Sequence, residues 1–80
     1  MDRKAMLVNY IQNEILHGRK VNLEENEDLL SAGILDSLSI LTLVTFIEES
    51  FGIQVQDEDV VYDNFKSINA MAEYVQQHDR

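Results

Sequence analysis

The chain has 80 residues, 45% of them hydrophobic, with no proline or cysteine, and its 15 acidic and 6 basic side chains give a net charge of −9. That length suits one domain over residues 1–80, whose stability of about 5–10 kcal/mol leaves little surplus for a deep, strained active site. Without cysteine there is no disulfide, thiolate metal site or cysteine nucleophile, and the acidic balance disfavours nucleic acid and anionic membranes, whose binding rests on Lys and Arg neutralising phosphates.

The first helix is expected to start after Asp2, a good N-cap, to carry Met6, Leu7, Tyr10 and Ile11 on an inward face, and to stop near Gly18. From Arg19 to Ala32 the apolar pattern weakens to Val21, Leu23, Leu29 and Leu30 among acids, which predicts a long loop pinned by a few leucines. The second helix should begin with Asp36 as N-cap and end at Gly52. Ile40, Leu43, Val44, Ile47 and Phe51 form its core stripe at helical spacing, whereas Leu38, Leu41 and Thr45 fall on another side. A helix in so small a domain cannot easily bury both faces, so some of this second set is expected to be exposed beside the helix start, where it suggests a docking surface.

Ile53-Gln54-Val55 alternates like a strand but has no partner elsewhere, and is read as an extended connection with its apolar side chains turned inward. Asp57-Glu58-Asp59 places three acids at the start of a short helical turn that Val60, Val61 and Tyr62 follow. A last helix capped by Ser67 carries Ile68, Met71, Ala72 and Val75 at burial spacing. The expected fold is all-α, with three principal helices and one short one. The start Met1-Asp2-Arg3-Lys4 has no signal-like apolar stretch behind it, and no segment approaches the roughly 20 apolar residues of a membrane span, so a cytoplasmic protein without membrane insertion is expected.

Most site chemistries fail on residue type or spacing. A hydrolytic triad needs a histidine near a serine and a carboxylate, yet His17 lies beside the terminator of the first helix and His78 near the chain end, both expected in solvent. A calcium loop begun at Asp57 would need Gly where Tyr62 stands and Glu where Ile68 stands. Glu24, Glu25, Glu27 and Asp28 lack regular spacing and a histidine, and Gly18, Gly33 and Gly52 are too scattered for a phosphate-cradling loop. No catalytic or metal-ligating residue is therefore assigned. The charge is more informative, because Val21 to Phe65 holds 11 acids and no Lys or Arg, a surface that attracts basic patches on other proteins.

Of the five serines, Ser37 alone follows a helix-capping acid at the tip where the long loop meets the apolar helix. With Asp36 as the cap and Gly33 allowing a sharp approach, its hydroxyl is left to project, as covalent modification requires. Gly33-Ile34-Leu35-Asp36-Ser37-Leu38 resembles the Asp-Ser-Leu attachment motif of the acyl carrier protein family, which includes peptidyl, aminoacyl and D-alanyl carriers. The resemblance extends through Phe51-Gly52-Ile53-Gln54-Val55-Gln56-Asp57-Glu58-Asp59 to Phe65-Lys66-Ser67-Ile68, covering roughly Leu29 to Gln76.

That resemblance implies a small four-helix bundle of the acyl-carrier-protein type, acting as a monomer. It implies that Ser37, within the motif residues Asp36 and Leu38, receives 4'-phosphopantetheine from coenzyme A through a phosphopantetheinyl transferase. An acyl- or aminoacyl-loading ligase would then charge the arm with a thioester, and downstream synthase, transferase or tailoring enzymes would use it, the carrier being no enzyme itself. Leu38, Leu41 and Thr45 would supply apolar partner contacts, and Glu48, Glu49, Asp57, Glu58 and Asp59 would attract basic ones.

Three features depart from fatty-acid-type carriers. Ser39 and Thr42 stand where acids usually occupy the first turns of the second helix, Tyr62-Asp63-Asn64-Phe65 lengthens the passage before the last helix by about two residues, and Phe46 is bulky for its position. The first of these, together with the Gly-Ile-Leu-Asp-Ser-Leu form, favours a specialised pathway or an aminoacyl-loading ligase over housekeeping fatty acid synthesis, and the other two would alter the space available to a sequestered chain. The competing reading is an unmodified carrier-fold adaptor or regulatory domain, against which the intact Asp36-Ser37 pair counts.

Overall fold

The computed structural model describes residues 2–18 and 22–78, and Val21, one of the apolar residues of the expected loop, lies outside them. Helix α1 spans Arg3–Tyr10, α2 Ser37–Phe51, α3 Tyr62–Phe65 and α4 Ile68–His78. The described residues contain no strand, and no helix among them is long and apolar enough to cross a membrane.

Asp2 caps α1 as expected, its carboxylate accepting from the Lys4 amide at 3.0 Å. Beyond Tyr10 the helix continues as a π-helical turn over Ile11–Ile15. It ends where His17 and Gly18 both take positive φ, with the Gly18 amide donating to the Gln12 carbonyl at 2.7 Å. Leu7 and Ile11 of the expected inward face are fully buried, but Met6 and Tyr10 are only half-buried and line an open groove toward Phe46. Their side of α1 faces this groove rather than the centre of the core, a difference of helix rotation that spacing alone does not reveal.

Leu29 is fully buried, and hydrogen bonds fix the loop around it. The Leu29 amide donates to the Lys66 carbonyl at 2.7 Å, the Asn69 amide to the Glu25 carbonyl at 2.9 Å, and the Asn69 side-chain amide to Asn26. Lys4 adds an exposed ion pair to Glu25 at 3.2 Å, a contact worth under about 1 kcal/mol. Thus the loop is tied to the start of α4, the segment that the apolar pattern left slack.

Ile40, Leu43 and Ile47 of α2 are buried against Leu7, Ile11, Phe65, Ile68, Met71 and Val75, with Val44 and Phe51 packed partly against this core. Val55 is buried and Ile53 half-buried in the extended connection, as expected. Ser67 caps α4, its hydroxyl accepting from the Ala70 amide at 3.1 Å. Asp57 to Phe65 forms two turns rather than one: Asp57–Asp59 is a 3-10 turn, Val60 and Val61 are non-helical, and α3 follows. The side chain of Asn64 holds the break by donating to the Asp59 carbonyl at 2.8 Å.

Gly52 ends α2 at φ 69° with its amide bonded to the Glu48 carbonyl, and a Cβ there would meet nothing within 4 Å. Gly52→Ala is therefore expected to destabilise the fold through backbone strain alone, by about 1–2 kcal/mol. Urea unfolding tests this, and an unchanged midpoint would contradict it.

Candidate functional site

The loop delivers Ser37 through a run of local contacts. Asp28 accepts from both the amide and the hydroxyl of Ser31, Gly33 turns the chain at φ 78°, and the amides of Ile34 and Leu35 return to the Leu29 carbonyl. Leu35 is thereby buried, and Asp36 follows in extended conformation. The carboxylate of Asp36 accepts from the Ser39 amide at 2.9 Å, so Asp36 is the N-cap and Ser37 the first residue of a 15-residue helix. Among the described residues no hydrogen bond engages the Ser37 hydroxyl, and the residue is exposed.

Hydrogen bonds from Ser39, the backbone amide foremost, hold the Asp36 carboxyl below its ordinary range. A carboxyl lowered by folding stabilises the fold above its unfolded value of about 3.9, and that contribution is lost as pH falls through the lower folded value. Asp36→Ala is thus expected to lower the melting temperature at neutral pH, with the gap from wild type closing in acid. A gap that does not narrow as the pH falls below the ordinary carboxylate range would contradict the cap assignment.

Beside Ser37 lies a cleft of about 370 Å³, whose walls include Leu30, Ile40, Leu41, Val61, Tyr62 and Phe65. It is at the small end of ligand-pocket sizes, which run from about 300 to 1,000 Å³, and shares their apolar character. The lengthened Tyr62–Phe65 passage forms its far wall as α3. Lys66 sits 5.9 Å from the centre of the Tyr62 ring, so the acid-rich stretch ends in a cation near this rim.

The expected outer face of α2 is exposed: Leu38 at 74%, Leu41 at 61%, and Thr45 beside them. The hydroxyls of Thr42 and Thr45 turn back to the carbonyls of Leu38 and Leu41, at 3.1 and 3.3 Å, which leaves this face largely apolar. The five acids divide. Glu49, Asp57 and Glu58 are exposed, whereas Glu48 accepts from the Val55 amide at 2.9 Å and Asp59 from the Tyr74 hydroxyl at 2.7 Å.

Tyr74, absent from the expected core set, is 4% exposed, and burial, with the Asp59 hydrogen bond next, pushes its hydroxyl up to about 12. His78 is exposed, as expected, and its ring also stacks on Tyr74 with centroids 4.1 Å apart, its Nε2 lying 3.9 Å from Asp59. The signal for both was the four-residue spacing of Tyr74 and His78, which places them on one side of a helix. Neither histidine lines the Ser37 cleft, and the described residues contain no cluster of side chains that could hold a metal ion.

An exposed, uncommitted serine at the start of the longest helix of an all-α bundle, next to a small apolar cleft, defines a carrier-type domain. Comparison with known proteins agrees. Residues 13–75 match the family model for the phosphopantetheine attachment site. The chain is 32% identical over 75 residues to the D-alanyl carrier protein of Streptococcus sanguinis (strain SK36), covering 94% of this chain and 92% of that one. It is 27% identical over 73 residues to the probable acyl carrier protein PigG of Serratia sp. (strain ATCC 39006), covering 91% and 84%. A chain in the crystal structure of an FAD-dependent dehydrogenase superposes with a TM-score of 0.77 at 30% identity, covering 86% of this chain and 97% of that one.

The chain belongs to the phosphopantetheine-attachment family. It is a carrier protein of the acyl-carrier type, and its cofactor is 4'-phosphopantetheine, which the free hydroxyl and open surroundings of Ser37 fit. Carriers of this family interact with phosphopantetheinyl transferases and with loading or downstream enzymes.

Proposed function

We propose that Ser37 is the attachment residue and that residues 1–80 form a stand-alone, cytoplasmic, monomeric carrier of acyl or aminoacyl groups with no catalytic activity of its own. The observation that carries this reading is the exposed Ser37 hydroxyl, free of hydrogen bonds among the described residues and displayed by the Asp36 cap. In the transferase, the Ser37 oxygen attacks the phosphorus that bears the pantetheine arm of coenzyme A. A phosphodiester forms, the bond to 3',5'-ADP breaks, and the serine proton passes to a base of the transferase. The positive end of α2 favours the new phosphodiester charge, while Asp36 keeps its own charge on the Ser39 amide.

When bound, the arm supplies a terminal thiol on which cargo travels as a thioester. Leu38, Leu41 and Thr45 give each partner enzyme a shared apolar contact, with Glu49, Asp57 and Glu58 steering basic surfaces toward it. The cleft beside Ser37 is the apolar surface nearest to an arm attached there, while Leu7, Ile11, Leu43 and Ile47 are fully buried. The D-alanyl carrier protein among the relatives supports aminoacyl cargo, and with it a loading ligase as a partner.

Incubation with acetyl-coenzyme A and a permissive transferase tests the reading. The chain should gain acetyl-phosphopantetheine on the peptide containing Ser37 and then lose only the acetyl group to neutral hydroxylamine, which cleaves thioesters. Modification of another serine would overturn the assignment of Ser37, and no modification while a control carrier is modified would favour an unmodified adaptor.

A further inference from the structure

The exposed ridge of α2 has a groove on each side. One is the Ser37 cleft. The other, about 450 Å³ in volume, lies toward α1 and the π-helical turn and is bounded by Met6, Tyr10, Asn13, Glu14 and Phe46. Phe46 is nine residues beyond Ser37, about 2.5 helical turns and roughly 14 Å along the axis, so this groove lies well away from the attachment point.

Aromatic and acidic groups meet there. The Tyr10 and Phe46 rings are stacked with centroids 4.1 Å apart, and Phe51 meets Phe46 edge-on at 6.2 Å. Both rings of the stack are only half-buried, and Asn13 and Glu14 reach the groove from the π-helical turn, a distortion often found at functional positions. Glu49 follows Phe46 by three residues on the same side of α2 and is exposed. Among the described residues no basic side chain lines the groove, and no hydrogen bond or salt bridge occupies Glu14 or Glu49.

We propose that the Tyr10–Phe46 groove is a second partner-docking surface that receives an arginine side chain from a basic segment of another protein. A guanidinium is planar and weakly hydrated, so it stacks on an aromatic face while its donors reach flanking carboxylates. An ammonium is more strongly hydrated and lacks that plane. The negative charges of Glu14 and Glu49 are felt within the groove, since they add to burial in pushing the Tyr10 hydroxyl up. With Ser39 and Thr42 in the first turns of α2, and Glu48 held by Val55, the negative charge left on this side lies at the far end of the helix.

The test is an amide NMR titration of the full apo chain with a blocked helical peptide carrying two arginines among apolar residues, alongside versions with lysine or neutral citrulline in their place. The arginine peptide should shift the amides of Asn9, Tyr10, Asn13, Glu14, Phe46 and Glu49. Its Kd should weaken about fivefold in the Glu14→Gln, Glu49→Gln double variant, as expected for two exposed ion pairs. Shifts confined to Asp57–Asp59, an unchanged Kd in the double variant, or equal binding of the citrulline or lysine peptide would each overturn the proposal. Both substitutions are on the surface and should leave the fold intact. Because the chain carries no arm in this titration, its outcome is independent of whether Ser37 is the attachment residue.

Discussion

Phe65→Ala is expected to destabilise the protein by about 3–5 kcal/mol, a large part of the roughly 5–10 kcal/mol available to a domain of this size. Phe65 is 1% exposed and is the largest fully buried side chain, packing against Tyr74 with ring centroids 6.0 Å apart. It also forms part of the wall of the Ser37 cleft, between α3 and the loop that Leu29 anchors. Removing the ring leaves a cavity that the surrounding bundle can fill only partly. The melting temperature should fall by at least about 12 °C, given roughly 4–8 °C per kcal/mol for domains of this size. Phe65→Leu, which keeps most of the volume, should cost under about 1.5 kcal/mol. Thermal unfolding followed by far-UV circular dichroism measures both, and near-equal losses for the two variants would contradict this role for the ring.

The helix that presents the candidate site was legible in the sequence because its determinants are local. Asp36 and Gly52 mark its ends by capping chemistry, the Ile40–Leu43–Ile47 stripe marks its buried side, and a surplus of apolar residues marks Leu38 and Leu41 as exposed. What escaped notice depends on contacts between distant segments. The hydrogen bonds from Leu29 to Lys66 and from Asn69 to Glu25 join backbone groups, which leave no trace in side-chain pattern. Asp59 reads as one of three solvent-facing acids, and only the approach of α4 turns it into the acceptor for Tyr74. The π-helical turn at Ile11–Ile15 shifts the register after Tyr10, and with it Asn13 and Glu14, which line the groove that Met6 and Tyr10 share with Phe46. Likewise, the break at Val60 and Val61 needs Asn64 to hold the Asp59 carbonyl, five residues away.

The second large effect is chemical. Ser37→Ala should abolish phosphopantetheine attachment while leaving the fold near wild type, because an exposed first-turn hydroxyl without a hydrogen bond contributes little to stability. The other serines are poorer acceptors. The Ser31 hydroxyl donates to Asp28, Ser67 is buried as the cap of α4, Ser39 is half-buried, and Ser50 lies at the far end of α2, beside its terminator. Only Ser37 combines an exposed hydroxyl with a helix start and an adjoining apolar cleft.

The most direct measurement is the intact mass of wild type and Ser37→Ala after incubation with coenzyme A and a permissive phosphopantetheinyl transferase. The wild type should gain one phosphopantetheine and the variant none. Equal gain by both, or no gain by a folded wild type while a control carrier is modified, would contradict the assignment of Ser37 as the attachment residue.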